Sequence, residues 1–101
     1  MDLGLAAKVR PAVVLSIPAD DTDRALVTII PHTTSVRGSR FEAAVSVAFL
    51  RVGVFDAQNI VTIPHAKLVR VLGNLSAAQL TIVERTTIIW LGLSAITSPE
   101  V

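Results

Sequence analysis

The order of its segments restricts this chain more than any single motif: strand-forming runs come first, and helical patterns appear only after residue 64. Residues 12–17 form an almost continuous apolar run opened by Pro11, a position where a missing N–H is tolerated, and suit a strand buried on both faces. Residues 25–30 give a second strand, which Pro31 is expected to end. In residues 41–47, Phe41, Ala43, Val45 and Val47 fall on one face and Glu42, Ala44 and Ser46 on the other. Residues 48–53 read as a turn or a single helical turn stopped by Gly53, and residues 59–63 as a fourth strand closed by Pro64.

Two helical patterns follow. Residues 65–72 carry Leu68, Val71 and Leu72 at helical spacing before Gly73-Asn74. Ser76-Ala77-Ala78-Gln79 is a capping-box pattern, in which the Ser76 hydroxyl accepts from the Gln79 N–H and the Gln79 side chain reaches back. The helix it starts sets Leu80, Val83, Thr87, Trp90 and Leu91 on one face and ends at Gly92. Residues 86–90 are β-prone, so the helix rests on its cap and periodicity. Ile82 and Ile89 make a second apolar stripe, with Ile88 beside it, which reads either as an added interface or as a sign of relaxed constraint. No helix separates the first strands, so a parallel α/β fold is disfavoured. The expected class is mainly β or α+β, a small antiparallel barrel with C-terminal helices. One domain over residues 1–93 and a tail at 94–101 are expected.

Composition narrows the function classes. With 101 residues and 51% hydrophobic content the chain can build one core, though at this size an oligomeric interface would help. A net charge of +1 leaves no global footprint for nucleic acid, so any basic site must be a local cluster. The absence of cysteine excludes disulfides and thiolate metal sites and fits a reducing compartment. Residues 3–7 are too short an apolar run for a signal peptide, and the uncharged segment 86–99 is too short to span a bilayer. The expectation is a cytoplasmic chain that does not enter a membrane.

Chemistry-bearing groups gather where the second strand meets a polar loop, at Pro31-His32-Thr33-Thr34. Loop edges on a rigid scaffold favour function. Zinc bound by His32 and His65 would need carboxylates nearby and would need the fold to bring the two strand ends together. The acidic segment holding Asp20, Asp21 and Asp23 completes no oxygen-ligand spacing and reads as a solvated loop. No metal site or cofactor is expected, and no nucleophile elbow or phosphate-cradling glycine loop is present. Arginines and hydroxyls remain. Arg10, Arg37 and Arg40 could line one groove if the first strand's start lies beside the second strand's end. Their planar donor forks suit a phosphodiester, with Thr33 or Thr34 placing an oxygen. From composition alone, the simpler reading is that these arginines are ordinary surface residues.

Taken together, the pieces resemble the MazF/PemK-type toxin family. Arg10-Pro11-Ala12-Val13-Val14-Leu15-Ser16 resembles its R-P-x-[VL]-V-[LV]-S opening. The run from Val27 through Pro31-His32-Thr33-Thr34-Ser35 resembles a strand ending in P-x-T-[ST]. Gln58-Asn59-Ile60-Val61-Thr62-Ile63, Leu72-Gly73-Asn74-Leu75-Ser76 and Trp90-Leu91-Gly92-Leu93 resemble its later segments, so the likeness runs over residues 9–93. It implies an SH3-like barrel, a homodimer, a cognate antitoxin as partner and metal-independent, sequence-selective cleavage of single-stranded RNA by 2′-OH attack. By motif, Arg10 and Thr33 take the catalytic roles. Thr34, Ser35, Arg37 and Arg40 take the phosphate and loop contacts, and Gln58 and Asn59 the base contacts. His32 stands at a variable position and takes a structural role. The family's usual opening strand, with its Gly-Asp-[IV] pattern, has no counterpart before Arg10, and Asn59 stands where the family usually has Gln. The alternative is therefore a truncated, inactive homologue acting as an antitoxin-binding or dimerisation module.

Overall fold

A computed structural model describes residues 10–93. The expectations about a missing first strand and a tail at 94–101 lie outside the described residues. The described elements are β1 (Ala12–Val14), β2 (Leu26–Thr33), β3 (Glu42–Ala43), β4 (Val54–Asp56), β5 (Val61–Pro64) and α1 (Ala77–Leu91), with 3-10 turns at Ala57–Asn59 and His65–Lys67. All strand pairs are antiparallel, in the order β1-β2-β4-β3, with β5 also paired to β2. The result is the expected α+β arrangement: a curled antiparallel sheet, or half-barrel, with a C-terminal helix.

β2 is the spine of this sheet. One of its edges pairs with β1 over Ala12↔Pro31 to Val14↔Ile29. The other edge pairs first with β5, from Leu26↔Pro64 to Ile29↔Val61, and then with β4 at His32↔Phe55 and Thr33↔Val54. Pro31 thus does not end the strand. The His32 N–H donates to the Pro11 carbonyl at 2.9 Å, so even-numbered N–H groups face β1 and the odd-numbered ones face the other edge. The N–H that Pro31 lacks would point into the gap where β2 exchanges β5 for β4. The register His32↔Phe55 sets Pro31 level with Asp56, the last residue of β4, so the missing N–H forgoes a bond only at the end of that ladder, before the 3-10 turn at Ala57–Asn59.

Other sequence expectations need correction. The run 12–17 forms a strand only to Val14 and is not buried on both faces: Val14 is exposed, and Ile17 is 85% exposed. Among the described residues β1 pairs with β2 alone. In residues 41–47 the alternation holds, since Ala43, Val45 and Val47 are buried, but the ladder stops at Ala43. The fourth strand starts at Val61 rather than Asn59, because Asp56 caps the preceding 3-10 turn by accepting the Gln58 N–H at 3.1 Å. Val54–Asp56 is an additional strand, too short between turn signals to show a period. No helix forms over 65–72, where only His65–Lys67 makes a 3-10 turn. Leu68, Val69, Val71 and Leu72 are exposed, so a short helix there would bury too little to offset nucleation.

The last helix follows the sequence closely. Gln79 N–H donates to Ser76 Oγ at 3.1 Å, and Ser76 N–H donates to Gln79 Oε1 at 2.8 Å. Gly92 ends the helix in the left-handed region with φ 67°. Gln79 Nε2 also donates to the Ser46 carbonyl at 2.8 Å, tying the helix start to the chain after β3. Val83 and Thr87 are buried, and Thr87 satisfies its hydroxyl on the Val83 carbonyl at 2.8 Å. The core joins Ile30, Ala43, Val45, Val47, Phe55, Ala57 and Val83. Ile82, Ile88 and Ile89 lie exposed on the helix. No helix among the described residues is long and apolar enough to cross a membrane.

Loss of the cap should be measurable. Ser76→Ala is expected to lower stability by about 1 kcal/mol, and Ser76→Asp to stay close to the parent chain, as read from thermal unfolding.

Candidate functional site

The β1–β2 register builds the site. The last laddered pair is Ala12↔Pro31, and the His32–Pro11 backbone bond carries the ladder one residue further. The next residues across are Arg10 and Thr33. Theirs is a non-hydrogen-bonded position, the kind in which facing Cα atoms come within about 4.5 Å. Strand alternation assigns their face. Val13, Ile30, His32 and Phe55 point to the core under α1, so Arg10, Ala12, Pro31 and Thr33 belong to the opposite side. Arg10 is exposed and Thr33 half-buried.

Thr33 is held by its own loop. Its Oγ1 accepts the Ser35 N–H at 3.0 Å. That bond fixes the rotamer and leaves the hydroxyl hydrogen free to donate outward. Thr34 and Ser35 are exposed beside it. Gly53 permits the close approach of the chain entering β4: a Cβ there would overlap the Thr33 carbonyl oxygen and lie 2.8 Å from His32 Cε1. Gly53 read from sequence only as a turn stop, so its contact with the site was missed.

His32 points inward. It is 5% exposed, its ring meets Phe55 edge-on at 5.1 Å, and its Nε2 has no hydrogen-bond partner among the described residues. Burial lowers its pKa below the ordinary value, so the imidazole is held neutral. His65 lies at the far end of the spine, where its N–H donates to the Ala25 carbonyl. The two histidines sit seven positions apart along β2 and its continuation, roughly 20 Å, so the strand ends do not bring them together. Among the described residues no three of His, Cys, Asp or Glu converge as a ligand set.

The remaining candidates divide among three places. Arg37 is exposed on a loop whose N–H groups at Arg37, Gly38 and Ser39 all donate to the Glu42 carboxylate, at 3.0, 2.8 and 3.1 Å. Gln58 and Asn59 occupy the 3-10 turn after β4, where Asn59 Nδ2 donates to Asp56 Oδ2 at 2.8 Å. Arg40 goes elsewhere. Its guanidinium lies 4.6 Å over the Phe41 ring, and that ring packs on Trp90 of α1 at 4.9 Å. Arg40 is therefore stacked towards the helix side rather than gathered with Arg10. Glu42 and Asp56 went unnoticed in sequence because each is a single carboxylate at a strand position.

Comparison with known proteins adds to this geometry. The family model described as PemK-like, MazF-like toxin of type II toxin–antitoxin system matches residues 4–91. The Mycobacterium tuberculosis toxin MazF-mt6 is similar at 31% identity and TM-score 0.73, over 85% of this chain and 89% of that one. A MazE–MazF structure from Deinococcus radiodurans is similar at 27% identity and TM-score 0.72, over 84% of this chain and 83% of that one. An endoribonuclease solved with its cognate antitoxin, from a mycobacterial species, shares the fold at 24% identity and TM-score 0.76, over 92% of this chain and 90% of that one. No curated protein sequence matches the chain.

Two outcomes are expected. Because burial lowers the His32 pKa, the unfolded chain takes up a proton at higher pH than the folded one. Stability contributed by neutral His32 is then full above its ordinary value of 6.5 and declines as pH falls below it. Denaturant titrations across that range should show a slope that His32→Leu removes. Gly53→Ala should cost about 1–3 kcal/mol through overpacking against Thr33, and it should shift the Thr33 and Ser35 amide signals in an NMR spectrum.

Proposed function

The chain belongs to the PemK-like, MazF-like toxin family of type II toxin–antitoxin systems, a family of endoribonucleases, and on that premise we propose that it cleaves single-stranded RNA without a metal ion. The observation that carries the reading is the β1–β2 register, which sets Arg10 opposite Thr33 on one face of the sheet. In the proposed reaction the ribose 2′-hydroxyl gives up its proton to solvent water as its oxygen attacks the adjacent phosphorus. The bond from phosphorus to the 5′-oxygen breaks, leaving a 2′,3′-cyclic phosphate, and the departing oxygen takes a proton back from solvent water as a 5′-hydroxyl. Arg10 offsets the charge that builds on the non-bridging oxygens, where a preorganised cation contributes most. Thr33 orients the 2′-hydroxyl or a phosphate oxygen with its free hydroxyl hydrogen, since its own pKa is too high for it to serve as a free base. Dependence on the 2′-hydroxyl explains a preference for RNA over DNA.

Thr34, Ser35 and Arg37 supply further phosphate contacts in this reading, and Gln58 and Asn59 read bases. Arg40, stacked on Phe41, contributes to the loop's shape and field rather than to the reacting phosphate. A homodimer is proposed with α1 contributing, because Ile82, Ile88, Ile89 and Leu91 leave apolar surface exposed on the helix. An antitoxin partner follows from family membership and from the MazE–MazF likeness.

The test is incubation of the folded chain with unstructured RNA in EDTA. Cleavage is expected to persist in the chelator. Arg10→Ala and Thr33→Ala should each lower kcat/KM by about 100-fold or more, with thermal unfolding unchanged. Intact RNA after incubation with folded, antitoxin-free protein would count against the proposal.

A further inference from the structure

Glu42 makes an arrangement that the proposed reaction does not use. Glu42 is exposed at its carboxylate end yet accepts three consecutive backbone N–H groups, from Arg37 to Oε2 and from Gly38 and Ser39 to Oε1. The chain closes the same ring from the other side, since the Glu42 N–H donates to the Ser39 carbonyl at 3.2 Å and the Phe41 N–H to Ser39 Oγ at 3.0 Å. Gly38 sits at φ 78°, the left-handed backbone that turns successive N–H groups towards one anion. A side-chain carboxylate fills a nest that would otherwise take a free one. Those bonds, with the nearby Arg37 charge, hold the Glu42 pKa below its ordinary value.

Its place on the sheet gives this arrangement a purpose. Glu42 pairs across from Asp56, on the face that alternation assigns to Thr33 and Arg10. Like charges directly opposite one another are destabilising. Here each carboxylate is engaged by its own loop: Glu42 by the Arg37 turn, Asp56 by the Gln58 N–H and the Asn59 amide. Glu42 keeps its charge, and the three N–H groups that donate to it spread that charge over the loop they order.

We propose that Glu42 is a positioning residue, tying down the loop so that Arg37 meets a phosphate of the RNA bound at the Arg10–Thr33 pair. This rests on the endoribonuclease reading above. Glu42 does not touch the reacting atoms and acts through Arg37. Its loss weakens substrate binding and leaves the chemical step alone.

The experiment compares the parent chain with Glu42→Gln, Arg37→Ala and the double variant. Hydrogen exchange should rise about tenfold at the amides of Arg37, Gly38 and Ser39 in Glu42→Gln and stay unchanged at core amides such as Ile30. In RNA cleavage, KM should rise roughly threefold to tenfold with kcat within about twofold. Glu42→Gln should add nothing further on the Arg37→Ala background. Loop protection in the parent chain should persist at neutral pH and fall away only below the ordinary glutamate value of 4.5, because a lowered carboxylate pKa keeps its contribution until that range. Unchanged exchange at the three amides would overturn the proposal. So would a fall in kcat at constant KM, or additive effects of Glu42→Gln and Arg37→Ala. A parent chain that cleaves no RNA would refute the endoribonuclease reading, while the exchange measurement would still decide whether Glu42 holds the loop.

Discussion

Everything in this fold depends on β2 being paired along both edges. A strand of eight residues, Leu26–Thr33, takes β1 on one side and exchanges β5 for β4 on the other. The exchange falls at Pro31, between Ile29, the last residue paired with β5, and His32, the first paired with β4. That single register does two jobs. It places Ile30 and His32 against Phe55 and α1 to close the core. It also brings the residue before Pro11 level with the residue two past Pro31, on the opposite face. A one-residue slip would invert both faces, so core packing and the pairing of Arg10 with Thr33 are enforced by the same contacts.

The polar groups around the site are satisfied locally, within a few residues of each other. Thr33 takes the Ser35 N–H, Glu42 takes three N–H groups of its loop, and Asp56 takes Gln58 and Asn59. Loops closed this way keep their shape without borrowing partners from the core. His32 is the exception, with an Nε2 beneath the site that has no partner among the described residues. Its burial lowers its pKa and so favours the uncharged imidazole beneath Thr33. Histidine contributes packing here, and in the proposed function the working cation is Arg10, exposed on the other side of the sheet.

Much of this was legible in the sequence, for identifiable reasons. The capping box at Ser76 and Gln79 and the αL glycine at Gly92 are local signals, and the helix between them formed where they predicted. The alternation in residues 41–47 held even where pairing lapsed. The family was recognisable because Arg10-Pro11 and Pro31-x-Thr33-Thr34 occur together in order. What failed to show depends on distant partners. Pro31 read as a strand end because its unpaired edge is visible only once β5 and β4 are in place. Residues 65–72 had helical spacing without a surface to pack on. The stacking of Arg40 over Phe41, whose ring packs on Trp90, is a tertiary contact that no local pattern foretells. Gly53, Glu42 and Asp56 are single residues whose meaning lies across a strand pair.

The central claim is that Arg10 and Thr33, placed opposite each other by the β1–β2 register, promote attack by a ribose 2′-oxygen on the neighbouring phosphorus. Its most direct test uses an RNA oligonucleotide cleaved by the chain and the same oligonucleotide carrying one 2′-deoxyribose at the scissile position. The account predicts a 2′,3′-cyclic phosphate and a 5′-hydroxyl from the first, by mass spectrometry, and no cut in the second. Cleavage at the deoxy position, or products ending in a 3′-hydroxyl and a 5′-phosphate, would contradict it.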